Sequence, residues 1–113
     1  MTKPKFRNRA FHDTHGRYWH SKAEYARWGQ LELLQAGGVI SNLKRQVKFK
    51  CVVNGDLICN YVADFVYYEA NKSVIEDLKS PPTAAESAFK IKWALMKACH
   101  PGYEYRITMK GKK

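Results

Sequence analysis

Alternation of apolar and polar side chains is clearest between residues 45 and 53. Val47, Phe49, Cys51 and Val53 fall on one side, and Gln46, Lys48 and Lys50 on the other. A period of two predicts a half-buried strand, here with a basic outer face. Asn54-Gly55 follows, a pair suited to the positive-φ positions of a tight hairpin. Leu57 to Tyr68 is rich in β-branched and aromatic residues and predicts the returning strand, and Val74 to Lys79 predicts a third. The stretch from Tyr67 to Ser73 carries Asn71, Lys72 and Ser73, a plausible turn between them. Together these make a three-stranded antiparallel meander.

Helical periodicity flanks the meander. Ser21-Lys22-Ala23-Glu24 reads as a capping box opening a helix to about Ala36, with Tyr25, Trp28, Leu31 and Leu34 or Gln35 on one face. Gly37-Gly38 stops it, and Val39 to Leu43 is a short extended or loop segment. Pro81-Pro82 breaks the chain after the third strand. Thr83-Ala84-Ala85-Glu86 is a second capping box, predicting a helix to about Cys99. Its expected buried stripe is Ala88, Ile91, Leu95 and Ala98, widened by Phe89, Trp93 and Met96. His100-Pro101-Gly102 ends it, and Tyr103 to Met109 alternates as a fourth strand. A helix between the third and fourth strands permits a parallel crossover. The order α-β-β-β-α-β predicts one small α/β domain with a mixed sheet. Residues 21–109 form that domain, between a basic arm (1–20) and a basic tail (110–113).

The chain has 113 residues, enough for one domain with a modest core. Twenty Lys and Arg against ten Asp and Glu leave a net charge of +10, which favours a polyanionic partner, nucleic acid first. A membrane-surface role is disfavoured because no segment opposes a large apolar face to a basic one. No apolar run approaches the ~20 residues that span a bilayer, and Met1 to Arg9 is basic without a signal peptide's apolar segment. A cytoplasmic protein is therefore expected. Cys51, Cys59 and Cys99 are odd in number and form no CxxC, so free thiols are expected rather than a disulfide framework or zinc site.

In the arm, Lys3, Lys5, Arg7, Arg9 and Arg17 alternate with Phe6, Phe11, Tyr18 and Trp19. This suits an arm that tracks phosphates and stacks on bases; equally, the aromatics could pack on the domain. Lys44, Arg45, Lys48, Lys90 and Lys92 are further candidate DNA contacts. His12, His15 and His20 match no strong metal motif.

The candidate chemistry lies on the second and third strands. Pairing them brings Asp64 beside Asp77 and Lys79, and strand parity puts Asp77 and Lys79 on one face with Leu78 on the other. Two carboxylates and an ammonium on one patch suit a hard divalent cation and an activated water facing a phosphate. Glu76 is the rival carboxylate. It lies on the opposite face of a regular strand, and a bulge there would exchange it with Asp77. The plain structural alternative is a surface Asp–Lys pair, worth ~0–1 kcal/mol.

Ala63-Asp64 followed by Asp77-Leu78-Lys79 resembles the PD-(D/E)XK nuclease signature. The Ser21-x-x-Glu24 helix start and the Tyr61-Val62-Ala63-Asp64-Phe65 wording resemble small phage nucleases and the phage endonuclease-I type of Holliday-junction resolvase. The likeness covers roughly residues 20 to 108. It departs at Ala63, where the family has Pro, and at Ser80, where Gly often follows the Lys. The resemblance implies a restriction-endonuclease-like core and a Mg²⁺-dependent DNA endonuclease, with Mn²⁺ able to substitute. Its ligands would be Asp64, Asp77, the Leu78 carbonyl and Glu24, with Lys79 orienting or activating water. Capping alone already accounts for Glu24. Resembling nucleases often carry a polar group near the position of Gln46, although an exposed strand residue is the slightly favoured reading there. Paired incision of a four-way junction implies a homodimer, in the cytoplasm of a bacterial host if the chain is phage-encoded. No small-molecule cofactor or membrane is implied. A nicking or restriction-type duplex endonuclease is the alternative enzyme. A non-catalytic nucleic-acid-binding protein is the alternative from another class.

Overall fold

Four strands form one mixed sheet because each carries the alternation or β-branched content that a half-buried strand needs. A computed structural model describes residues 10–109. The elements are β1 (Phe11–His12), β2 (Tyr18–Trp19), α1 (Lys22–Ala36), β3 (Ser41–Val53), β4 (Asp56–Glu69), β5 (Lys72–Lys79), α2 (Pro81–Ala84), α3 (Ser87–Cys99) and β6 (Tyr103–Met109). The sheet order is β3-β4-β5-β6, antiparallel except for the parallel β5–β6 pair that the α3 crossover makes possible. The expected small α/β domain with a mixed sheet is thus what forms. Among the described residues no helix is long and apolar enough to cross a membrane.

The sheet is covered on both faces. Val74, Phe65, Tyr67 and Leu78 pack with Leu31 of α1 and Ile40, whereas Ile75, Tyr61, Ala63 and Cys51 pack with Phe89, Trp93 and Met96 of α3. Adjacent residues Val74 and Ile75 therefore serve opposite layers, as the pleat requires. Asn54 and Gly55 take φ of 51° and 84° in the β3–β4 turn. The β4–β5 turn is tighter than the stretch from Tyr67 to Ser73 suggested. Ala70 and Asn71 alone turn the chain, with φ of 52° and 65°.

Three expectations are corrected. Val39–Leu43 is not separate from the first long strand, because β3 already begins at Ser41. The predicted helix from Thr83 is broken: α2 is a single turn, and α3 starts at Ser87 with Glu86 at its N-cap and no side-chain cap bond. Its buried stripe is Phe89, Trp93 and Met96, while Ile91 is 66% exposed. Both stripes share the helical period, and the one with the larger aromatic area wins the core.

Residues 11–19 form a small ribbon, so the described part of the arm takes the packed alternative. Asp13 closes it, accepting from the backbone N–H of His15 and Arg17, the Arg17 guanidinium and the Trp19 indole. Desolvation raises its pKa, but the Trp19 bond and the others outweigh this and hold it well below the usual carboxylate range. Trp19 is fully buried, beside Tyr25 and Trp28 of α1. Lys3, Lys5, Arg7, Arg9 and the 110–113 tail lie outside the described residues.

Candidate active site

The β4–β5 ladder runs from Glu69↔Lys72 to Phe65↔Glu76 and stops. The next position in register is Asp64 opposite Asp77. There the strands part, and side chains replace the backbone ladder. The Asp64 N–H donates to Asp77 Oδ1 at 3.1 Å, and the Leu78 N–H donates to Asp64 Oδ2 at 2.8 Å. Each carboxylate thus satisfies a donor on the opposite strand, as buried backbone groups require.

The other neighbour of Asp64 is interrupted at the same point. The β3–β4 register passes from Arg45↔Phe65 to Val47↔Ala63 without a Gln46–Asp64 pair. Gln46 has φ of 54°, a left-handed conformation uncommon outside glycine. β4 changes face here: Ala63 packs in the α3 layer and Phe65 in the α1 layer, although two residues apart. This shared interruption, with the register the same on either side, gives Asp64 its position between the two layers.

Glu24 enters from the first turn of α1. Ser21 Oγ accepts from the Glu24 N–H at 3.1 Å, so the N-cap is as expected. The Glu24 carboxylate is not engaged in the reciprocal cap. Gln46 Nε2 donates to Glu24 Oε2 at 2.5 Å, and His20 Nδ1 lies 3.6 Å from Glu24 Oε1. Gln46 is therefore half-buried beside Glu24 rather than an exposed strand residue.

A cleft of about 450 Å³ opens over this arrangement, lined by His20, Glu24, Gln46, Asp64, Leu78 and Lys79 among others. A second hollow of about 380 Å³ adjoins it across Val62, Lys79 and Thr83, and takes in Tyr61, Asp77 and Lys92. Lys79 Nζ is 3.1 Å from Asp77 Oδ2 and 4.7 Å from the centre of the Phe89 ring. The Tyr61 hydroxyl also donates to Asp77. Burial, then the adjacent Asp77 charge, push the Tyr61 pKa far above the ordinary phenol value, so the hydroxyl stays a donor.

Burial is the largest influence on Asp64, followed by repulsion from Asp77. The Leu78 N–H opposes them, Glu24 adds repulsion, Lys79 relieves some of it, and the balance pushes Asp64 up to about 7. Anionic charge is in excess where one ammonium faces Glu24, Asp64 and Asp77. Among the described residues no three His, Cys, Asp or Glu side chains converge into a ready-made metal cage. Mg²⁺ is commonly held by one or two carboxylates, with water and substrate phosphate completing its shell, and Asp64 with Asp77 is a donor set of that kind.

Glu76 lies on the other face and is fully buried. Arg27 grips it from α1, Nε to Oε2 at 2.6 Å and Nη2 to Oε1 at 3.1 Å, while the Tyr67 hydroxyl at 2.6 Å and the Thr108 hydroxyl at 3.0 Å also donate to it. Desolvation raises the Glu76 pKa, but the Arg27, Tyr67 and Thr108 bonds outweigh it and leave it below the usual value. β5 has no bulge here, so Asp77 keeps the face it shares with Lys79.

The basic candidates divide. Arg17 is paired with Asp13. Arg45 donates to the Tyr18 carbonyl at 2.7 Å and lies 3.8 Å above the Trp19 ring. Lys44, Lys48, Lys90 and Lys92 are exposed. Sequence reasoning missed His20, Ser80 and Thr83 as cleft residues. Only the adjacency of His20 to the N-cap Ser21 could have signalled one of them. The three thiols are free. A scan of protein-family models, a search of curated proteins and a search of solved structures each found no match.

Proposed function

We propose that the chain is a divalent-metal-dependent DNA endonuclease of the PD-(D/E)XK type, acting on branched DNA and first on four-way junctions. The observation that carries the reading is the parted β4–β5 edge, where Asp64 and Lys79 share one cleft with Glu24 and the buried Asp77 carboxylate bonds both the Asp64 N–H and Lys79 from the adjoining hollow, in a chain of net charge +10. A binding surface for phosphate alone would be weakened by carboxylates in its groove.

Mg²⁺ or Mn²⁺ held by Asp64 and Asp77, with Glu24 and the Leu78 carbonyl as further donors, would supply Lewis-acid stabilisation of charge at the phosphate. The chain's own groups do the positioning. Lys79, fixed by Asp77 and the Phe89 ring, places an ammonium at the cleft to orient water or neutralise a phosphoryl oxygen. Gln46 and His20 hold the Glu24 carboxylate toward the same space. Exposed Lys44, Lys48, Lys90 and Lys92 attract the backbone. One such centre per chain and two incisions per junction require a two-fold dimer.

The test is cleavage of a labelled four-way junction beside a linear duplex of the same arm sequence, with Mg²⁺, Mn²⁺ or EDTA at fixed salt. Symmetric, metal-dependent cutting of the junction alone is expected. Equal cutting of both substrates would keep the nuclease and remove the junction preference. Salt-sensitive binding without cutting under either metal would leave a binding protein.

A further inference from the structure

The β1–β2 ribbon has one face buried and one open. Phe11 and Trp19, paired across it, pack on Tyr25 of α1. His12 and Tyr18, the other pair, face outward, and His20 continues the Tyr18 face two residues on. Their rings form a continuous row of edge-to-face contacts, His12 to Tyr18 at 5.3 Å between centroids and 64° between ring planes, and Tyr18 to His20 at 5.2 Å and 84°. Among the described residues the row is left uncovered, and Tyr18 keeps 46% of its surface exposed. Its far end is His20, which lines the candidate active cleft and contacts Glu24.

Exposed aromatic faces are the surfaces on which unpaired bases stack. The ribbon is also held rigid, by Asp13 within and by Arg45, which spans the Tyr18 carbonyl and the Trp19 ring. A pre-ordered aromatic row in a strongly basic chain, leading into a cleft, matches single-stranded nucleic acid, whose bases present π-faces at no cost in pairing. Paired bases in a duplex do not offer those faces.

We propose that His12, Tyr18 and His20 form a stacking platform for unpaired DNA bases beside the cleft, so that strands leaving a duplex are held there. The proposal extends the nucleic-acid part of the functional reading and does not depend on cleavage. Tyr18 is central, since both imidazoles touch it. The Arg45 bond goes to its backbone carbonyl, so a side-chain change leaves that brace in place.

The experiment is equilibrium binding in EDTA, by fluorescence anisotropy, of a labelled oligothymidylate and of a blunt duplex of equal length to the full chain. Tyr18→Ala is expected to weaken oligothymidylate binding by about 5- to 150-fold, the range for loss of one base–aromatic stack, and to leave duplex binding within about twofold. Tyr18→Phe should retain wild-type affinity, and matched circular dichroism melts should exclude unfolding. Unchanged oligothymidylate binding by Tyr18→Ala, equal losses on both ligands, or no wild-type binding to the single strand would overturn the platform. A chain that cuts junctions yet ignores Tyr18 loses only this proposal; one that never cuts but needs Tyr18 for single strands loses only the nuclease reading.

Discussion

Asp64 and Asp77 occupy the position where β4 and β5 cease to pair, and the Asp64 N–H donates to the Asp77 carboxylate in place of a ladder bond. Two carboxylates meeting at the end of a ladder, Asp77 buried and Asp64 half-buried, cannot both ionise cheaply. Asp64 is the one that yields, with its pKa pushed up to about 7 by burial and then by Asp77.

A proton should therefore leave Asp64 when a divalent cation binds. At pH 6 titration calorimetry with Mn²⁺, repeated in buffers of different ionisation enthalpy, should report release approaching one proton, falling towards zero by pH 8.5. A buffer-independent heat at pH 6 would refute the coupling. The same shift fixes the sign for the metal-free fold. The folded value lies above the unfolded carboxylate value of about 3.9. Its stabilisation is complete below that value and is lost as pH rises towards 7. Asp64→Asn should raise the metal-free melting temperature at pH 8 by about 5 °C, the shift that about 1 kcal/mol gives in a domain of this size, while abolishing metal-dependent cutting.

Asp77 and Glu76 should separate chemistry from stability. Asp77→Asn keeps an acceptor for the Asp64 N–H and removes the charge beside Lys79. Cutting should fall by at least about 100-fold, with DNA binding retained. Glu76→Gln removes the carboxylate that part-exposed Arg27 grips, and the charge-assisted hydrogen bonding lost costs on the order of 1.5–3 kcal/mol, read by urea denaturation. The pair is lost on the acid side. Glu76 has a folded pKa below its ordinary value, so its stabilisation is present above about 4.3 and disappears as pH falls through the folded value. If Glu76→Gln melted normally and lost cutting while Asp77→Asn cut normally, the two roles would be exchanged.

What could be read in advance followed local rules. Asn54-Gly55 turned the chain because both residues accept positive φ. Ser21 capped α1 because its hydroxyl accepts from the Glu24 N–H. The parity of Asp77 and Lys79 held because β5 pairs without a slip. The illegible part is the matched irregularity at Gln46 and Asp64. A glutamine carries no signal for positive φ, and an alternating pattern does not announce where it changes face. The spacing alone left Glu24 ambiguous for a related reason: a capping carboxylate and a cleft carboxylate occupy the same helix position, and only the resemblance favoured the second. In α3 two stripes had one period, and only the packing of Trp93 against Tyr61 and Tyr105 decides between them.

Gln46 has a conformational role and a bonding role, and two substitutions can part them. Both Gln46→Gly and Gln46→Ala remove the donor to Glu24, so both should lower cutting, by about 10-fold for one hydrogen bond of roughly 1–1.5 kcal/mol. Only Ala retains a Cβ against the left-handed backbone, which costs about 1–2 kcal/mol. Gln46→Gly should therefore be the more stable of the two in urea denaturation by about 1 kcal/mol. Equal stabilities would mean that the positive φ is not maintained in solution.

Lys79 has two anchors, the Asp77 carboxylate at 3.1 Å and the Phe89 ring at 4.7 Å. Lys79→Met keeps most of the stem length and its packing but deletes the ammonium. The fold should tolerate this, since removing the cation leaves Asp77 with the Tyr61 hydroxyl and the Asp64 N–H. Cutting should drop by about 100- to 10,000-fold, the span for losing a positioned proton-handling or charge-stabilising group. Lys79→Arg keeps the charge but replaces a compact ammonium with a planar fork that does not fit the same point between carboxylate and ring. It should recover DNA binding fully and cutting only in part. Single-turnover rates at saturating Mg²⁺, set beside binding constants in EDTA, distinguish the two effects. A Lys79→Met chain that cuts at the wild-type rate would remove Lys79 from the chemistry and leave it as a partner of Asp77 alone.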